Sequence, residues 1–170
     1  MLVFDLRSLA STAAHVDDVL PSDDPVWEEG DVVPRDGVRV TGRLSAAGVA
    51  GDRYYFSGHV AGVVHGDCRR CLVEAQGSVN ETAQLLFVEE GADDLDDDPD
   101  VFLFDPRATG LDLRPAIREQ WLLAAPRFVQ CRDDCKGLCP TCGTDLNAGP
   151  CACDPVTDDR WAALRATRHD

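Results

Sequence analysis

Eight cysteines are the side chains of this 170-residue chain whose type and spacing most directly announce a chemistry. Six lie in "CRDDCKGLCPTCGTDLNAGPCACD", residues 131–154, and two in "CRRC", Cys68 to Cys71. Structural zinc takes four ligands tetrahedrally, often from CxxC pairs whose backbone N–H groups also bond the thiolates. Where thiols are kept reduced, such spacings point to metal before disulfides. The distal spacings are Cys131-x3-Cys135, Cys139-x2-Cys142 and Cys151-x-Cys153. "CPTCG" is the most zinc-like piece, because Gly143 lets the backbone fold around an ion. Eight residues separate Cys142 from Cys151, enough for the chain to return, so Cys139, Cys142, Cys151 and Cys153 make a local site. Cys131 and Cys135 are then half a site, as are Cys68 and Cys71. Joining the two halves uses all eight thiols on two zinc ions, the arrangement we expect. The alternative is a single zinc held by four of the distal six. His65 is a conceivable substitute ligand, but a lone strand histidine is more often an ordinary surface or core residue.

The elements that position these thiols are readable from hydropathy periods. Val38, Val40 and Leu44 alternate with polar neighbours; so do Tyr54, Phe56, Val60 and Val64, and then Val73, Ala75, Val79, Ala83, Leu85 and Phe87. Three half-buried antiparallel strands follow from that period. Gly48 and Gly51 turn the first connection, and "GDCRRC" forms the second, which puts Cys68 and Cys71 on a hairpin tip. Earlier, "FDLRSL" (Phe4 to Leu9) reads as a short opening strand, followed by a polar stretch to about Pro34. Later, "VFLF" (Val101 to Phe104) reads as a strand. "DLRPAIREQWLLAAP" reads as a helix capped by Asp112 and ended by Pro126, with Ala116, Ile117, Gln120, Trp121 and Ala124 on its apolar stripe. Trp121 on that stripe is read as core. "DDRWAALRA" reads as a short tail helix. The expected fold is α+β: an antiparallel sheet with one main helix and a C-terminal zinc-knuckle segment. Residues 1–130 would form the sheet domain, and residues 131–170 the cysteine-rich segment.

Composition narrows the function. The formal net charge is −15, yet "EEGADDLDDDPD", residues 89–100, carries eight carboxylates and reads as a solvated loop. The longest apolar run, Trp121 to Ala125, is far too short to span a bilayer, and "MLVFDLRSLA" lacks the charge and apolar length of a signal peptide. We therefore expect a cytoplasmic protein without membrane partners. A redox dithiol sits at a helix start rather than on a hairpin, and the dense carboxylates lie on a loop too mobile for a catalytic metal. No enzyme and no catalytic residues are expected. A zinc bound by four thiolates carries a net charge of about −2. Arg69, Arg70, Arg127, Arg132 and Lys136 near it serve either as counter-charge or as a phosphate-contacting patch.

These residues together resemble the YceD-like family, named for large ribosomal RNA subunit accumulation. The resemblance rests on "DCRRC", on "EQWLLAAPRFVQC", and above all on "CKGLCPTCGTDLNAGPCAC" followed by "DRWAAL". Family members often read DPRW where this chain has Asp158-Asp159-Arg160-Trp161. The resemblance implies a role in the synthesis, processing or stability of large-subunit (23S) ribosomal RNA, with ribosomal RNA or a pre-ribosomal particle as partner. The competing expectation, drawn from charge, is an acidic partner for a basic large-subunit ribosomal protein.

Overall fold

The computed structural model describes residues 1–48, 51–92, 101–153 and 160. Five strands form one sheet in the order β2 (Ala14–Leu20), β3 (Val38–Ala46), β4 (Arg53–Asp67), β5 (Glu74–Glu89) and β6 (Val101–Phe104). All neighbours are antiparallel except β5 and β6, which run parallel. A second, two-stranded sheet pairs β1 (Val3–Asp5) with β7 (Gly110–Asp112). Helix α1 (Leu6–Leu9) follows β1, and the main helix α2 (Arg114–Ala124) follows β7. The fold is α+β, as expected.

Alternation places the core. Val38, Val40, Leu44, Tyr54, Phe56, Val60, Val64, Ala75, Val79, Ala83, Leu85 and Phe87 are all buried on one sheet face. Helix α2 covers that face with Ala116, Ile117 and Trp121. Trp121 is fully buried, its indole N–H donating to the Val32 carbonyl at 2.6 Å. An ideal Cβ on Gly62 would lie 2.7 Å from the Trp121 ring, so the bare glycine is what lets the helix approach the sheet.

Strand lengths then create the site. β3 pairs with β4 only as far as Ala61, whereas the β4–β5 register runs on to Asp67↔Glu74. Beyond Ala61 the two long strands continue without β3, as an arm whose tip is Cys68 to Val73. The chain leaving α2 lies along this arm. Val129 bridges to Cys68, and Pro126 and Val129 pack over Gly77.

Several expectations need correction. "FDLRSL" is not one strand: β1 ends at Asp5, whose carboxylate accepts from the Ser8 N–H at 2.8 Å and caps α1. The polar stretch before Pro34 contains β2, whose inward positions include buried Val16 and Leu20 but also Asp18, which pairs with the Met1 ammonium. Asp112 is not the N-cap of α2. That position is Leu113, without a side-chain bond, although the Asp112 carboxylate accepts from the Arg114 N–H at 2.9 Å. α2 ends at Ala124, with Ala125 extended just before Pro126. Val73 belongs to the exposed hairpin tip rather than to the core. Residues 93–100 of the acidic segment and the tail helix at "DDRWAALRA", Arg160 apart, lie outside the described residues.

Candidate metal centres

The fold gathers the eight cysteines into two quartets. Cys68, Cys71, Cys131 and Cys135 form one, and Cys139, Cys142, Cys151 and Cys153 the other, with all sulfurs in each within 4.8 Å of one another. None is in a disulfide. In the first quartet, the Cys68–Cys135 sulfurs are 3.9 Å apart and the Cys71–Cys131 sulfurs 3.6 Å. A tetrahedron with zinc–sulfur bonds of about 2.3 Å has edges of about 3.8 Å. The separations therefore match ligands around one ion and far exceed a disulfide bond of about 2 Å. Each quartet can hold a metal ion, and four thiolates suit zinc by donor type. His65 is in neither quartet.

Both CxxC turns are built alike. The Cys68 N–H donates to the Val73 carbonyl (2.8 Å) and the Leu72 N–H to the Cys68 carbonyl (2.9 Å). In the distal segment the Cys139 N–H donates to the Thr144 carbonyl (2.9 Å) and the Gly143 N–H to the Cys139 carbonyl (2.9 Å), the same offsets. The residue after the second cysteine is left-handed in both, Leu72 at φ 61° and Gly143 at φ 73°. Gly143 accepts that conformation freely, whereas Leu72 carries about 1–2 kcal/mol of strain. Leucine at this position hid the equivalence in the sequence.

The same turns aim amides at sulfur. The Cys68 thiol is pulled down to about 6 by the backbone N–H of Cys131 and by those of Arg70 and Cys71. Cys139 is pulled down to about 6 by the N–H groups of Cys142 and Thr141. Cys135 and Cys142 are lowered with them, whereas Cys71, Cys131, Cys151 and Cys153 move the other way. Desolvation and neighbouring thiols push Cys131 up to about 12, and the Cys142 thiol with desolvation pushes Cys153 up to about 12. Like charges packed together cannot all ionise unaided. A divalent cation would remove that conflict and let each quartet bind as four thiolates.

Sequence elements far apart meet at the first centre. The arm supplies Cys68 and Cys71. The Arg69 N–H donates to the Val129 carbonyl at 3.0 Å, which fixes the strand leading to Cys131. The turn 132–135 then closes with the Cys135 N–H donating to the Arg132 carbonyl (3.1 Å). Arg69, Arg70, Arg127, Arg132 and Lys136 are exposed around this centre. Arg132 pairs with Asp134 at 3.3 Å, while the other four pair with no carboxylate among the described residues. Sequence reasoning missed two neighbours here: Phe128, 70% exposed beside Arg127, and Asn147, whose amide donates to the Cys135 sulfur at 3.6 Å. Both lie in the stretches that carry the family resemblance, but neither is a metal-ligand type, so residue chemistry alone gave them no role.

A family profile described as large ribosomal RNA subunit accumulation protein YceD matches residues 56–166, which include both quartets. Curated relatives include uncharacterized proteins of Mycobacterium bovis and Mycobacterium tuberculosis, each 33% identical over 110 residues. That match covers 64% of this chain and 52% of each relative. An uncharacterized protein of Mycobacterium leprae is 31% identical over 109 residues, covering 64% of this chain and 50% of its own. The chain thus spans about half the length of the curated relatives it matches. No solved structure matches it significantly. Among the described residues, no helix is long and apolar enough to cross a membrane.

Proposed function

The chain belongs to the YceD family of large ribosomal RNA subunit accumulation proteins, and from that premise we propose that it is a non-enzymatic, zinc-binding ribosome-biogenesis factor. It supports the synthesis, processing or stability of large-subunit (23S) ribosomal RNA in the cytoplasm, where its thiols stay reduced. One observation carries the mode of action: Arg69 and Arg70 sit inside the metal-ligating turn, exposed and without carboxylate partners among the described residues. A metal-braced turn presents its cations at little further entropy cost, which suits phosphate contact. Arg127 and Lys136 extend the patch, with Arg132 beside them. Phe128 next to Arg127 offers an exposed ring on which an unpaired base can stack. The net charge of −15 repels phosphate, but screening over about 8 Å at physiological salt leaves the local patch in control.

The test is RNA association measured against salt. Replacing Arg69 and Arg70 by alanine should flatten the log–log salt slope by about 1.4, at about 0.7 per single-strand phosphate contact. Reversing both to glutamate should abolish association and reproduce the ribosomal RNA defect of a deletion, with metal content and folding intact. Full ribosomal RNA levels in the reversed-charge strain would sink this reading. The eight carboxylates of residues 89–100 favour the second reading, an acidic partner for a basic ribosomal protein. Protein crosslinks from that segment, with no RNA adducts at Arg69 or Arg70, would select it.

A further inference from the structure

We infer that the two metal centres are one coupled unit, in which Asn147, carried by the loop of the second centre, is a positioning residue of the first. The inference rests on the metal reading. By sequence Asn147 lies between the second centre's ligand pairs, Cys139/Cys142 and Cys151/Cys153. Its side chain serves the other centre. Nδ2 donates to Cys135 Sγ at 3.6 Å, and Oδ1 accepts from the Lys136 N–H at 2.8 Å. Nδ2 also donates to the Asp145 carboxylate at 2.7 Å, which in turn accepts from the Asn147 N–H at 2.9 Å. With its oxygen and nitrogen both engaged, the amide holds a donor toward the sulfur. Turning it over would set an oxygen against a thiolate.

The backbone ties the centres together along the same line. The Leu146 N–H donates to the Gly137 carbonyl (2.9 Å), and Leu138 bridges to Asp145. On its other side the strip is fixed to the arm, where the Leu138 N–H donates to the Arg70 carbonyl (3.0 Å). Gly137 is at φ 78°, and an ideal Cβ there would lie 2.9 Å from that carbonyl, so the strip reaches the arm only as glycine. Residues 136–138 are thus held between the tip that carries Arg69 and Arg70 and the loop that carries Asn147.

A zinc held by four thiolates has excess negative charge, and an N–H donor to a ligand sulfur offsets part of it. Partners of this kind are worth about 10–100-fold in metal affinity. A metal in the second centre closes the loop 143–150 and so holds the Asn147 donor in place. Losing that metal should weaken the first centre, and by thermodynamic reciprocity the first should strengthen the second by the same factor. This departs from the simpler expectation that the distal knuckle is purely local.

The experiment follows zinc release from the full chain to a chromogenic chelator. Wild type should release two equivalents slowly. Cys151→Ser should hold one zinc in the first centre and release it at least about tenfold faster than wild type releases its own from that centre. Asn147→Ala should keep two zinc ions but release the first-centre ion about tenfold faster. Asn147→Asp retains an acceptor for the Lys136 N–H yet faces the sulfur with a carboxylate, so it should be at least as fast as alanine. Thermal unfolding at saturating zinc verifies that the variants are folded. Release at the wild-type rate from folded Asn147→Ala, Asn147→Asp and Cys151→Ser, with their zinc bound, would show two independent centres and overturn the inference. A chain that takes up no zinc would overturn it together with the metal reading.

Discussion

Gly62→Ala should destabilise the protein, although alanine usually improves on glycine inside a strand. The added Cβ would lie 2.7 Å from Trp121 Cζ3 and 2.9 Å from Cη2, closer than such atoms approach. Trp121 cannot swing away, because it is fully buried and bonded to the Val32 carbonyl. Overpacking of this kind costs about 1–3 kcal/mol, and restricting the unfolded chain returns about 0.5–1 kcal/mol. The net loss is about 0–2.5 kcal/mol with a centre near 1, or a Tm lowered by up to roughly 10 °C at this chain length. Gly66→Ala is the control on the same strand. Its Cβ would meet Val129 at an ordinary 3.5 Å, so it should be neutral or slightly stabilising. Thermal unfolding followed by circular dichroism, at one saturating zinc concentration, reads both variants. Repeating Gly62→Ala on a Trp121→Phe background removes the clashing ring atoms and should shrink its cost. If Gly62→Ala is as stable as Gly66→Ala, the close approach of helix to arm is wrong.

Protein purified without chelator should contain two zinc equivalents by metal analysis, and one equivalent would reject the two-centre arrangement. At saturating zinc, Cys71→Ser should lower global stability strongly because it unties the arm from the chain after α2, whereas Cys153→Ser should lower it by only about 1.4 kcal/mol, the tenfold loss of first-centre affinity that the coupling implies. The Asp31 carboxyl is held below its usual value by its bond to Arg118 (2.7 Å) and by the Glu28 N–H. A depressed folded-state value adds stability above the unfolded carboxylate pKa of about 4, lost as pH falls through the lower folded value. Asp31→Asn should therefore melt earlier than wild type at pH 7, with the gap closing toward pH 3. A pH-independent gap would show that the ion pair contributes nothing.

Half-sites were legible in the sequence because a metal imposes arithmetic on its ligands. Four sulfurs per ion, and two cysteine pairs with no local partners, leave one long-range combination. The strands β3 to β5 were legible for a similar reason, since their apolar residues keep a period of two that glycines and Glu81 interrupt without shifting. β2 was not, because Asp17 and Asp18 break its pattern and one of them faces inward to meet the chain's own ammonium. The two-stranded β1–β7 sheet is only three residues a side, too short for any period to show. Harder still were contributions that depend on conformation rather than residue type. Leu72 performs the backbone task that Gly143 performs in the second turn, but a leucine gives no sign of a left-handed residue. Asn147 sits in the stretch that carries the family resemblance, but its role shows only when the fold brings Cys135 within reach of its amide. Ligands are chosen by chemistry that residue type reveals, whereas their supports are chosen by geometry that only the folded chain creates. The same division sets where substitutions should act: ligand changes on whether metal binds, and changes at Asn147 or Gly62 on how firmly its frame is held.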